Sequence, residues 1–462
     1  MAFTSWQYFG FLGITTVACW LLAKPKFQNL FLLGASGYFY WQFSHGATVL
    51  LGVLIIITYA CGLYLREGHA RRKVTLLAGV LIVLFALGWF KYADFLLWNL
   101  SWVGSHLGIS MPDRVSHVLL PVGISFYVFR MISYLVDVYR GQMLPRKNLV
   151  DYALSIAYFP MLVAGPIERP LTFLPQVERE RPWDVAWLGI AIPLMIRGML
   201  KKLVIADNVA VFADKVFMLD HPPLVILAAG VFAYTIQIYA DFSGYTDMAR
   251  ASAKLVGLNL MENFDAPYLS VSPSAFWRRW HISFSTWIRD YIYIPLGGSR
   301  HAGEFRNFLV ILLTMGISGL WHGAAWTYIA WGIYWGLLIY GYRRLGMGGH
   351  WSPSSWYGKT LATGLMFCFT AFGWLLFRAE SMGWVIGALT HAGIRSETAT
   401  VFVAFQIFSL VLFYSLFLCV DRVITSRAKR YPLLEWVYCA LVLVAVTIFA
   451  PASQTDFVYV QF

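Results

Sequence analysis

FWRRWHISFSTWIRDYIYIPLGGSR, residues 276–300, and GLWHGAAWTYIAWG, residues 319–332, flank an apolar run, and together they set the reading of the whole chain. From Ser274 to Tyr291 the side chains Trp277, Trp280, Phe284, Trp287 or Ile288, and Tyr291 recur every three or four residues, which predicts a helix with an aromatic face. Arg278, Ser285 and Arg289 fall on another face, and a helix so divided lies in a membrane interface rather than across it. Pro295-Leu296-Gly297-Gly298 then stops it, giving an interfacial helix and loop over 274–300. About 36 residues separate Arg306 from Arg343 and Arg344, enough for two short crossings, so 305–342 is expected to be a helical hairpin. His322 sits near its middle, within a bilayer or towards its outer side, where an ionisable group is costly to place.

The rest of the chain agrees with a membrane setting. Of 462 residues, 59% are hydrophobic and 13% charged, where a soluble chain carries about 25% charged residues. Long apolar runs at 6–23, 46–65, 74–90, 307–320, 324–342, 359–377, 401–420 and 433–450, with less clean ones at 27–43, 118–136, 150–165, 185–200 and 222–240, predict an all-α polytopic membrane protein. They allow roughly ten to fourteen spans. A β-barrel is excluded, because barrel strands alternate polarity and these runs are continuous. No linker, repeat or low-complexity tract divides residues 1–462, so a single integral-membrane domain is expected.

Charge gives an orientation. No basic residue precedes the first run, and Lys24 and Lys26 follow it, which argues against a cleaved signal peptide and places the N-terminus outside. The clusters Arg66/Arg71/Arg72/Lys73, Arg140/Arg146/Lys147, Lys201/Lys202, Arg278/Arg279/Arg289/Arg300/Arg306, Arg343/Arg344 and Arg422/Arg427/Lys429/Arg430 would then face the cytoplasm. The parity requires two crossings between Lys202 and Arg278, at 222–240 and at the polar-spotted 241–260. The same topology accounts for the net charge of +12 without nucleic acid, though some of these cations are also suited to a polyanionic cytoplasmic substrate. The cysteines, Cys19, Cys61, Cys368, Cys419 and Cys439, have neither a disulfide framework nor metal-ligand spacing.

His322 is the first candidate for chemistry. A neutral imidazole titrates near physiological pH and can take a proton from a hydroxyl. Gly316, Gly319 and Gly323 beside it give either close backbone approach or room for a substrate. A packed histidine closing a helix satisfies the same sequence. His281, on the interfacial helix and so expected at the cytoplasmic surface, is either structural or a positioning group; the two histidines would mark two ends of a passage. Arg278, Arg279, Arg289 and Arg300 are candidates for holding an anionic substrate, with Asp241 and Trp321 as further contacts. Asp247 and Arg250, three apart, suit an ion pair within one helix, and Arg130 and Asp137 pose the same question. Gly165-Pro166-Ile167-Glu168-Arg169-Pro170 is a helix terminus or a cavity mouth, and Gly297-Gly298-Ser299-Arg300 offers backbone N–H groups and a cation to a phosphate. The chain has no Walker A loop, G-x-S-x-G elbow or H-E-x-x-H pair.

W-R-R-W-H-I-S-x-S-T-W-x-R-D-Y-x-Y-I-P-L-G-G-S-R followed by L-W-H-G-A-A-W-T resembles the membrane-bound O-acyltransferase (MBOAT) family, in its alginate O-acetyltransferase (AlgI-type) branch. P-V-G-I-S-F-Y at 121–127, Y-L-V-D-V-Y-R-G at 134–141, A-G-P-I-E-R at 164–169, Q-I-Y-A-D-F-S-G-Y-T-D-M at 237–248 and E-N-F-D-A-P-Y-L at 262–269 agree, so the resemblance spans nearly the whole chain. It implies a ring of about eleven transmembrane helices around a thin centre, where an outer funnel meets a cytoplasmic tunnel. It implies that His322 is the catalytic histidine and His281 the family's second one. It also implies acetyl-CoA as donor, no bound cofactor or metal, a bacterial inner-membrane setting, and a periplasmic SGNH-type acetyltransferase or small carrier that passes acetyl to a polysaccharide. Arg130, where an uncharged residue such as Gln is expected, and Arg250-Ala251-Ser252 depart from the pattern. Alginate, cellulose, another exopolysaccharide and peptidoglycan all remain open as acceptors. A transporter or flippase for a polysaccharide precursor, or a non-catalytic scaffold, would use the same intramembrane charges differently.

Overall fold

A computed structural model describes residues 2–66, 70–114, 120–298, 303–390, 397–428, 430–451 and 457. All of the regular structure among them is helical. Among the described residues six helices are long and apolar enough to cross a membrane: His45–Tyr64, Arg72–His106, Leu224–Leu255, Trp356–Arg378, Thr398–Ala428 and Pro432–Phe449. The protein is an all-α, multi-pass membrane protein. The chain divides into two compact units, residues 1–191 with 249–261, and residues 192–248 with 262–462.

In the first unit α1 (Trp6–Leu21), α2 (Pro25–Trp41), α3 (His45–Tyr64), α4 (Arg72–His106), α5 (Ile124–Tyr139), α6 (Leu149–Ala157) and α7 (Pro170–Glu178) follow one another. Helix starts follow local chemistry: Ser5 and Ser44 accept from Tyr8 and Ala47 N–H at 3.2 and 3.3 Å, and Pro25 opens α2 where its missing N–H costs nothing. The run 150–165 is not one span. Helix α6 stops at Ala157 and a 3₁₀ turn, Phe159–Met161, follows around Pro160, which cannot donate to a helix. The carbonyls freed there are taken up by Arg130, which is wholly buried and donates to Ile156 O (3.1 Å) and Met161 O (2.8 Å). Glu168 is also buried and accepts the Met261 N–H, and Arg169 and Pro170 open α7, so 165–170 is a helix terminus tied into the interior. Burial pushes its carboxyl up to about 7 against the pull of Met261 N–H, Arg130 and Arg250.

Helices α8 (Ala186–Met199) and α9 (Asp207–Phe217) are joined by a π-helical turn, Leu200–Ala206, and α10 runs unbroken over Leu224–Leu255. Two expectations fail here. The stretches 222–240 and 241–260 are not two crossings but one helix as far as Leu255, because nothing between them, neither proline nor turn, interrupts the hydrogen-bond ladder. Lys201 and Lys202, expected among the cytoplasm-facing clusters, lie within the π-helical turn and are largely buried. The π turn aims them inward, Lys201 onto Asp247 (2.7 Å) and Lys202 onto Asp207 (2.9 Å) and Asp241 (2.7 Å). In the second unit there follow α11 (Pro273–Trp277), α12 (Ile282–Ile288), α13 (Glu304–His322), α14 (Trp326–Arg344), α15 (Trp356–Arg378), α16 (Met382–Thr390), α17 (Thr398–Ala428) and α18 (Pro432–Phe449).

Candidate functional site

Helices α13 and α14 form the expected hairpin, with His322 as the last residue of α13. The hairpin is tight because it has glycines where the helices touch. A Cβ on Gly319 would strike the Tyr328 carbonyl, and one on Gly332 the Met315 carbonyl. The ring of Tyr328 occupies the space a side chain at Gly323 would need, so Gly319 and Gly323 serve close approach, whereas a Cβ on Gly316 would have nothing within 4 Å.

The segment 274–291 is not one helix. Ser272 caps α11, accepting from Ala275 N–H at 3.2 Å, and the helix ends at Trp277. His281 then adopts φ +43° and α12 begins after it. Asn263 explains the break. Its carbonyl accepts from Ile282 N–H (3.0 Å) and its side chain from Ser283 N–H (3.1 Å), donors that a continuous helix would use internally. A left-handed histidine costs on the order of 1–2 kcal/mol and persists where its surroundings over-determine it, which directs attention to function.

His281 is therefore not at a surface. It is fully buried, its ring 4.7 Å from Phe242 and 5.1 Å from Phe284. Burial pushes its imidazole down to about 3, so it is neutral at physiological pH. His322 is 3% exposed, with Trp321 (4.9 Å), Trp331 (5.0 Å), Phe377 (5.1 Å) and Phe284 (5.4 Å) around it. The two histidines are not the two ends of a passage. They share two neighbours, Phe284 and Trp321, which stack on each other at 4.3 Å.

A cavity of about 470 Å³ approaches this cluster. One wall is the α13 stripe Ile311, Thr314, Met315 and Ser318, whose next member at helical spacing is His322. Phe284, Trp277 and Ile288 also line it, and Arg278, Arg289 and Arg343 supply cations. Beside it lies a second cavity of about 440 Å³, lined by Arg278, Arg279, Lys359, His350, Ser270 and Trp351, with no carboxylate among its described lining residues. Arg278 borders both and donates to Gly349 O at 2.8 Å.

Of the sequence candidates, the structure thus brings together His322, His281 and Trp321, and sets Arg278, Arg279 and Arg289 around the adjoining cavities. Arg289 also pairs with Asp290 at 2.6 Å. Arg300 lies outside the described residues. Asp241 is held by Lys202, and Asp247 by Lys201. The sequence reading missed Phe284 as a site residue, taking it only as a member of an aromatic face. It treated Arg343 as a topology marker and passed over Lys359. No group of His, Cys, Asp or Glu among the described residues is arranged to hold a metal ion.

Residues 35–345 match the model of the membrane-bound O-acyltransferase family. The chain is 40% identical over 378 residues to the probable alginate O-acetylase AlgI of Pseudomonas putida, covering 80% of this chain and 75% of that protein. It is 38% identical over 420 residues to the probable alginate O-acetylase AlgI of Azotobacter vinelandii, covering 87% and 81%. It is 32% identical over 411 residues to the peptidoglycan O-acetyltransferase of Helicobacter pylori, covering 81% and 75%.

Proposed function

This chain belongs to the membrane-bound O-acyltransferase family, and from that premise we propose that it is an O-acetyltransferase that passes acetyl groups from cytoplasmic acetyl-CoA to an extracytoplasmic hydroxyl acceptor, for acetylation of an alginate-like exopolysaccharide. The observation that carries this reading is the α13 stripe. One wall of a cavity with cations along its lining leads, turn by turn, to a buried histidine. The two cavities that share Arg278 suit a donor with a polyanionic head and a slim thioester arm, the head near Arg278, Arg279 and Lys359 and the arm along α13.

In the reaction, His322 accepts the proton of the acceptor hydroxyl as its oxygen attacks the thioester carbonyl carbon. The carbon–sulfur bond breaks, the new ester forms, and the proton passes from the imidazole to the departing CoA thiolate. Confinement of both reactants in a narrow space contributes much of the rate. His281, neutral and joined to His322 through Phe284 and Trp321, orients this cluster. Residues 1–462 act in this reading as one membrane domain of the bacterial inner membrane. The N-terminus lies outside, and an SGNH-type periplasmic protein or small carrier receives the acetyl group.

The test is transfer of labelled acetyl from acetyl-CoA by purified protein with a partner and polysaccharide. His322→Ala is expected to lose about 10²- to 10⁴-fold in rate while remaining folded; wild-type rates in that variant would remove the assignment. Peptidoglycan is the second acceptor to test, because the Helicobacter pylori relative is named for it.

A further inference from the structure

The lining of the cavity along α13 stops one helical turn short of His322, and one side chain both lines the cavity and packs against that histidine. Ser318, its innermost α13 residue, lies four residues before His322, about 6 Å along the axis. Phe284 lines the cavity yet is only 1% exposed. Its ring lies 5.4 Å from that of His322 and 5.1 Å from that of His281, and stacks on Trp321 at 4.3 Å. The ring is anchored rather than loose. Its short helix starts at the left-handed His281 and is fastened by two hydrogen bonds to Asn263. Resting on the reading of the site given above, we propose that Phe284 is the residue that limits the transferred acyl group to acetyl.

The physical argument concerns what lies beyond the thioester carbonyl. For that carbon to come within reach of His322, the donor arm must advance past Ser318, and its acyl chain must then point into the space Phe284 and Trp321 occupy. A methyl group asks for a small shift of one phenyl ring. Each further methylene must enter space the ring itself occupies, in a place where the backbone is pinned and a neighbouring indole blocks rotation. Close-packed interiors resist such additions, and hydrophobic pockets discriminate by roughly 10- to 200-fold per methylene.

The experiment compares wild type with Phe284→Ala and Phe284→Leu, using acetyl-, propionyl- and butyryl-CoA as donors. It also reads carbethoxylation of His322 by diethyl pyrocarbonate in intact protein, by mass spectrometry. The butyryl-to-acetyl ratio of kcat/KM is expected to rise at least about tenfold in Phe284→Ala, with Phe284→Leu intermediate, and His322 is expected to be labelled faster in both. An unchanged ratio in a folded variant, with wild type active on acetyl-CoA, overturns the inference and leaves the proposed function standing. No transfer by wild type from any CoA thioester instead overturns the proposed function, and this inference with it. The leucine variant covers failure of the alanine variant to fold.

Discussion

Asp241 and Lys202 meet at 2.7 Å in the interior of the protein, and the same ammonium reaches Asp207 at 2.9 Å. At that depth neither charge tolerates the loss of its partner, which favours a clamping role for the pair. Asp241→Ala is expected to destabilise the protein by about 3–5 kcal/mol, read as a lowered thermal midpoint in detergent, with the donor KM of the surviving folded fraction unchanged. A variant as stable as wild type with an altered donor KM would return Asp241 to the substrate site.

That clamp also marks where sequence reading ends. The all-α membrane character, the 305–342 hairpin and the position of His322 at a helix end were legible because each is set by local hydropathy and spacing. The inward turn of Lys201 and Lys202 was not, because it depends on Asp207, Asp241 and Asp247 coming together in space. The break at His281 was hidden for the same reason. Trp277, Trp280 and Phe284 keep helical spacing, and only Asn263, distant in the chain from the residues it bonds, diverts the hydrogen bonds. The burial of both imidazoles among the same rings followed from that break.

His281 gives the protein a pH signature. Its pKa falls from 6.5 to about 3 on folding, so between these values the unfolded state binds more protons than the native one. Stability then rises with pH across that window and is lost on acidification, by on the order of 1 kcal/mol per pH unit for this group. His281→Asn keeps a residue that tolerates the left-handed backbone and removes the titration. The slope of thermal midpoint against pH between about 6.5 and 4.5 should be shallower in this variant than in wild type. Equal slopes would show that His281 is not the group responsible.

Gly319 and Gly332 set the distance between α13 and α14, and through it the position of His322. A methyl at either position meets a backbone carbonyl of the facing helix, which cannot rotate away as a side chain can. Gly332→Ala is therefore expected to cost about 1–3 kcal/mol by forcing the hairpin apart, and to lower kcat more than it raises donor KM. Gly341→Ala, where a Cβ would have nothing within 4 Å, serves as the control and should match wild type in both.

Arg278 and Lys359 separate the roles of the two cavities. Arg278 borders both, whereas Lys359 lines only the second. If the anionic head of the donor rests in the second cavity, Lys359→Ala should raise the KM for acetyl-CoA on the order of tenfold with little change in kcat. The effect should shrink at high salt, because Lys359 is exposed and its field is screened. Acetyl-pantetheine, which has the thioester arm without the nucleotide, should be used equally by wild type and Lys359→Ala. Arg278→Ala should impair both donors, through the second cavity for the head and the first for the arm. A Lys359→Ala variant that discriminated against neither donor would move the head of the donor away from the second cavity and leave the α13 stripe to be tested alone.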